Sequence, residues 1–192
     1  MSEVVHLECS CGEVQAELEV VSKTKSFHVE CLCCDCQQYA KKLGADDTVL
    51  DKYGATELFQ THPCYLKFKK GQDNISCMQI KENGLFRWYT SCCNYPISNT
   101  MSSPKVPFVG IPVCFMRFES EEEKNRVLGP VIMRAFGKYS KGEKREGVYD
   151  EFPKSFMISF LAFMIRGFFV SRGKSSPFFK DGKPVRVPKP VL

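Results

Sequence analysis

The sequence has no run long enough to read as a membrane span and no segment that reads as a secretory leader. Its most apolar stretch, Phe156 to Val170, has 15 residues and carries Arg166 and Gly167 inside it, whereas a span needs about 20 apolar residues. Residues 1 to 20 lack a basic start followed by an apolar core, so the expected setting is a reducing one, the cytoplasm. A Ser-His-Asp set, a phosphate-binding loop and a dinucleotide fingerprint are also missing, which removes the motif-based grounds for hydrolase, nucleotide or nicotinamide chemistry. Histidine is scarce. His6, His28 and His62 are the only three, and no motif places any of them as a general base. Acidic residues are short at one end: from Arg166 onward, Arg166, Arg172, Lys174, Lys180, Lys183, Arg186 and Lys189 face only Asp181, although the whole chain is just +5. Such a tail favours an acidic or phosphate-bearing partner. With no aromatic platform or recognition motif it reads as a solvated face, and nucleic-acid binding is not expected.

Cysteine, by contrast, is abundant. There are 11 in 192 residues, alongside 16 Phe and an apolar fraction of 43% that argues for a folded globular chain. In a reducing compartment these read as metal ligands and buried thiols before they read as bridges, and an odd count leaves one unpaired in any all-disulfide scheme. Four fall within Glu30 to Gln37, where Cys31, Cys33 and Cys36 form a C-x-C-x-x-C pattern. If Phe27 to Cys31 is a strand, residues two apart share a face, and a tight turn after Cys33 returns Cys36 to the same place. Three thiolates with no obvious fourth make a zinc site that keeps an open position. The alternatives are buried free thiols or a disulfide, which cysteines so close in sequence form only under strain.

The rest of the chain reads mainly as β. Val4 to Val20 is a hairpin, with Val14, Ala16, Leu18 and Val20 alternating with polar residues. Its connection, Cys9-Ser10-Cys11-Gly12, repeats the C-x-C spacing at a strand end. Asp35 is placed to cap a short helix through Gln37 to Leu43, ended by Gly44. Asp46, Asp47 and Asp51 read as a solvated loop. Strands are expected at Tyr65–Lys69, Ile75–Ile80 and Leu85–Thr90, the last running into Cys92-Cys93-Asn94-Tyr95-Pro96. Cys64, Cys77 and Cys114 stand among apolar neighbours as small core residues. Ser120 with Glu123 has capping-box spacing, and residues 138–147 read as an exposed loop. Phe156 to Val170 reads as a core-facing helix, buried within the chain or at a homodimer contact, with interfacial membrane contact as the minority reading. Pro177 to Leu192 reads as an extended strap. The expected organisation is an antiparallel β domain over residues 1–115, with helices and strap from 116–192 packed on it.

Three blocks then carry a resemblance: Cys9-Ser10-Cys11-Gly12-Glu13-Val14, Cys31-Leu32-Cys33-Cys34-Asp35-Cys36, and Arg87 through Pro96. Over roughly residues 5 to 115 the chain resembles the glutathione-dependent formaldehyde-activating enzyme family, which includes centromere protein V. The resemblance implies a β-tent of antiparallel sheets held by a structural zinc, with a second zinc at the active site. By position it assigns Cys31, Cys33 and Cys36 to the active-site zinc and Cys9 and Cys11 to the structural one. The family takes its other two structural ligands from a C-x-x-C in the third block. Aligned on Pro96, Cys93 takes the second of these positions and Thr90 the first, which leaves Cys92 as the candidate for the missing thiolate. Cys34 is outside the pattern, a reserve ligand or a redox-sensitive neighbour. The implied activity is that of a zinc-dependent carbon–sulfur lyase handling a small thiol adduct such as S-hydroxymethylglutathione, with glutathione as the expected small-molecule partner. The rival expectation is a non-catalytic zinc scaffold that binds a protein or chromatin partner through the basic tail.

Overall fold

The computed structural model describes residues 2–21, 26–143 and 145–190. The chain opens with the expected hairpin, β1 (Glu3–Glu8) and β2 (Gln15–Val20), in which Val5, Leu7, Ala16, Leu18 and Val20 point inward. Next come β3 (Phe27–Cys31), α1 (Cys34–Leu43), α2 (Asp46–Val49), β4 (Thr56–Thr61), β5 (Leu66–Lys70), β6 (Ile75–Gln79), β7 (Phe86–Thr90) and β8 (Pro96–Thr100). They are followed by β9 (Val109–Pro112), β10 (Met116–Arg117), α3 (Glu121–Leu128), β11 (Met133–Ala135) and α4 (Met157–Val170). The chain ends with β12 (Phe179–Lys180), β13 (Lys183–Pro184) and β14 (Lys189–Pro190).

The fold is mainly antiparallel β, as expected. A four-stranded sheet has the order β10-β1-β2-β5, and an eight-stranded sheet the order β11-β3-β4-β9-β8-β7-β6-β14, while β12 and β13 pair by themselves. Among the named strands of the described residues, only the two edges of the larger sheet, β11 on β3 and β14 on β6, are parallel. Residues beyond 115 therefore join both large sheets through β10, β11 and β14.

Alternation along the strands gives the large sheet two different faces. One face carries Phe59, Ile75, Trp88, Ile97, Val109 and Ile111 into a common core with Leu7, Leu18 and Phe115. Phe178, from the terminal strap, fills this core with its ring 4.9 Å from Trp88 and no exposed surface. Arg186 then ties the strap to the sheet by donating to the Ile75 carbonyl at 3.1 Å. The strap reading thus holds over residues 177–190, while 191 and 192 lie outside the described residues, as does 144 in the expected loop. The opposite face is covered at one end by α4, through Phe27, Leu58, Phe108 and Phe163. At the other end α1 covers it, packing Tyr39 and Leu43 on Met78 and Tyr89. An open stretch of sheet remains between the two helices.

Three expectations need correction. Asp46 and Asp47, read as part of a solvated loop, form the first turn of α2. Helix α1 starts at Cys34, earlier than expected, and its cap is Cys33, whose extended backbone lets Sγ accept from the Cys36 N–H at 3.4 Å. Asp35 sits in the first turn and its carboxylate pairs with Lys81 at 2.7 Å. Gly44 does end the helix, at φ +64°. The largest correction concerns α4. Expected to be buried within the chain or at a homodimer contact, it buries only Phe163 and Gly167 fully within the chain, and leaves Ile158 79% exposed and Phe169 74% exposed. A helix apolar all round offers no polar face to mark the solvent side, and here one stripe is enough to complete the cluster beneath it.

Gly167 is where α4 docks. A Cβ there would fall 2.7 Å from Cγ of Pro107 and 2.8 Å from the buried His62 ring. At an unobstructed helix site Gly→Ala gains about 1 kcal/mol, but overpacking costs about 1–3 kcal/mol. Thermal unfolding of Gly167→Ala should therefore show a lower Tm than wild type; an equal or higher Tm would show that this contact does not seat the helix.

Candidate metal centres

Strand β3 ends at Cys31, the chain turns through Cys33, and the first turn of α1 carries Cys36. This brings the three sulfur atoms within 4.8 Å of one another, with Cys36 Sγ 3.7 Å from Cys31 Sγ. Sulfurs arranged tetrahedrally around one metal ion at about 2.3 Å stand about 3.8 Å apart, so the trio could hold a metal ion. Hydrogen bonds from Cys31 and Cys33, aided by the Arg87 charge, hold the Cys36 thiol well below its ordinary pKa. Arg87 is 2% exposed, lies 5.7 Å from the Tyr39 ring centre and donates to Cys36 Sγ at 3.5 Å.

A cavity of about 360 Å³ opens beside this trio, on the stretch of sheet left between the two helices. Its floor follows from strand register. Gln60 of β4 stands opposite Gly110 of β9, Gly110 opposite Asn99 of β8, and Asn99 opposite Arg87 of β7. Directly paired residues share a face, so a polar row crosses the sheet and ends at Cys36. Gly110 adds no side chain to it, and room is left above. Oε1 of Gln60 and Oδ1 of Asn99 are buried without a hydrogen-bond partner, an arrangement native proteins seldom leave unanswered. Val29, Leu58, Phe108 and Phe152 supply apolar walls, and Lys81, Lys138 and Tyr139 also line the cavity. Glu30, next to Cys31, is already occupied: its Oε2 accepts from Arg134 at 2.8 Å and from Arg145 at 3.0 Å.

The second group joins two turns far apart in sequence. Cys9 and Cys11 lie in the β1–β2 connection, Cys92 and Cys93 in the turn after β7, and all four sulfurs lie within 4.8 Å of one another. The Cys9–Cys11, Cys11–Cys92 and Cys92–Cys93 separations are 3.6, 3.4 and 3.8 Å, the spacing that a shared ion requires. Cys92 and Cys93 both join this group, and Thr90 does not. The Thr90 hydroxyl oxygen accepts from the Tyr95 N–H at 2.9 Å and sits 3.2 Å from Cys93 Sγ, so it shapes the turn.

Other candidates stay outside both groups. Cys34 lines the cavity and donates to Asp35, but it belongs to neither cluster. Cys77 is buried core, and Cys64 and Cys114 are half-buried. Among the described residues no histidine joins a metal group. His28 lies between the Gly129 carbonyl and Glu57, and His62 stacks on Phe163 with Nδ1 donating to Pro107. Arg87, Asn99 and Gln60 went unnoticed in the sequence. The signal available was a charged residue between Phe86 and Trp88 in a strand otherwise turned to the core.

No curated protein matches the chain. Among solved structures, the crystal structure of a Rhodobacter sphaeroides protein aligns with 64% of this chain and 96% of its own, at 16% identity and a TM-score of 0.45. A family model matches residues 1–187, almost the whole length, and the chain therefore belongs to a family of unknown function, DUF6151.

Proposed function

We propose that the protein is a zinc-dependent carbon–sulfur lyase that handles a small thiol adduct such as S-hydroxymethylglutathione. One observation carries this reading: three thiols, with no fourth side-chain ligand among the described residues, form the wall of a cavity with unpaired polar groups on its floor. A purely structural site is normally closed by four ligands, as the Cys9, Cys11, Cys92 and Cys93 group is. Zinc held by Cys31, Cys33 and Cys36 would supply a Lewis acid with a position open to sulfur.

The surrounding residues have distinct tasks. Arg87 offsets the negative charge that three thiolates would place in a buried corner, and its hydrogen bond orients Cys36. Gln60 Oε1 and Asn99 Oδ1 would accept from the amide or hydroxyl hydrogens of a bound adduct. Lys81 and Lys138, both lining the cavity, suit the carboxylates of a glutathione-like molecule. Phe108, Phe152 and Leu58 limit the access of water. Two arginines hold Glu30, so it is not a free base. The scaffold reading is less well served, because the basic tail is partly spent on the fold: Arg186 donates to Ile75 and Asp73 carbonyls.

Elemental analysis of purified protein should find about two zinc ions per chain, since two cysteine groups are present; none would defeat the reading. Cys9→Ser or Cys11→Ser should mainly lower folded yield, because structural metal binding is coupled to folding. Cys36→Ser should keep the fold and lose glutathione binding.

Gly110→Leu tests the cavity itself. A Cβ at Gly110 meets Phe108 and Gln60 at ordinary contact distances of 3.6–4.0 Å, so the fold should tolerate it while the longer side chain fills the floor. Titration with glutathione, with and without formaldehyde, should show binding to wild type and about tenfold or greater weakening in this variant, a loss of at least 1.4 kcal/mol, with zinc content unchanged. Binding should hardly respond to salt. If millimolar glutathione neither binds wild type nor competes for its metal, the lyase reading is wrong.

A further inference from the structure

Helix α4 has no acidic residue among its 14, and most of its exposed residues are apolar. Met157, Ile158, Leu161, Ile165, Phe168 and Phe169 are each half exposed or more. Their spacing of three and four residues lines them up along one stripe. Contiguous apolar patches of this kind mark interaction sites on soluble proteins. The stripe is not waiting for another part of the described chain: Phe156, Phe160, Phe163, Met164 and Gly167 already seat the opposite side of the helix.

What covers the stripe is indicated by charge. Lys154 precedes the helix, Arg166 lies in it, and Arg172 and Lys174 follow it. At its C-terminal end Lys105, Arg172 and Lys174 line a cavity of about 330 Å³ together with Phe168, Ser171 and Ser175, and no acidic residue lines it. Apolar stripe and cationic cavity are continuous, since Phe168 belongs to both. The cationic end of this face suits an anionic surface better than a second copy of the chain, which carries the same +5 charge. No helix among the described residues is long and apolar enough to cross a bilayer.

We infer that α4 is a peripheral membrane contact: its exposed stripe lies in the surface of an anionic bilayer, and the Lys105, Arg172 and Lys174 cavity takes the headgroup of an acidic phospholipid. An apolar helix face flanked by basic residues binds in this way, through apolar burial and attraction to acidic lipids together. The assignment is independent of the thiol-adduct reading.

Flotation of the full chain with phosphatidylcholine vesicles, with and without phosphatidylserine, tests it. Wild type should float with the phosphatidylserine vesicles and several-fold less with neutral vesicles or in high salt. Ile158→Glu/Phe169→Glu should lose flotation about tenfold or more, and Lys105→Ala/Arg172→Ala should lose only the gain from phosphatidylserine. All four replaced side chains face solvent, so circular dichroism of both variants should match wild type. Wild type that stays at the bottom of the gradient, or variants that float like wild type, would overturn the inference. So would a dimer, seen by sedimentation velocity, that Ile158→Glu/Phe169→Glu abolishes in a protein that never floats. Equal flotation on neutral vesicles would overturn the assignment of the cavity to an acidic headgroup.

Discussion

The pleat of the eight-stranded sheet is the constraint on which both the core and the site depend. Neighbouring residues on a strand must face opposite ways, so Trp88 and Arg87 serve opposite sides of β7. Trp88 enters the dry core and is covered by Phe178; Arg87 enters the cavity and meets Cys36. The same alternation in β4 sends Phe59 to the core and Gln60 to the cavity floor. A one-residue slip of register would exchange these sets, burying charge in the core and exposing aromatic rings. The polar row is therefore held in place by the hydrophobic demand of the face behind it.

Charge sets the second condition. Three sulfurs brought together in a buried corner repel one another once ionised, and burial alone would keep them protonated. Arg87, almost wholly buried, provides the compensating charge, and the N-terminal turn of α1 contributes the Cys36 N–H to Cys33. Removing one member of such a buried set leaves the others uncompensated. The Cys9, Cys11, Cys92 and Cys93 group is differently placed, at an edge where Cys11 and Cys92 are exposed. A metal ion held there would clip the smaller sheet to the end of β7, two parts far apart in sequence.

The two helices on the cavity face end up unlike each other. Helix α1 is held by its cap, its buried tyrosine and its cysteine, and it belongs to the site. Helix α4 is held by a narrow aromatic stripe and by the close approach at Gly167, and its remaining surface is free for something else. One helix shapes the pocket; the other turns outward.

How much of this could be read from residues alone varied with the distance over which the physics acts. The hairpin, the Gly44 stop, the Ser120 cap and the C-x-C-x-x-C cluster depend on neighbours a few positions apart, and the sequence by itself determined them. Even there a sulfur cap at Cys33 was missed, because Asp at position 35 is the commoner helix starter. The four-cysteine group was approached through a resemblance, and only the fold could show that the adjacent Cys92 and Cys93 both reach Cys9 and Cys11. Tertiary structure alone decided the rest. Gln60, Asn99 and Arg87 form a row only because β4, β9, β8 and β7 pair in one register, an order not written in any local spacing. The exposed side of α4 was equally hidden, since a helix apolar on every side records no direction, and only packing chooses which face is buried.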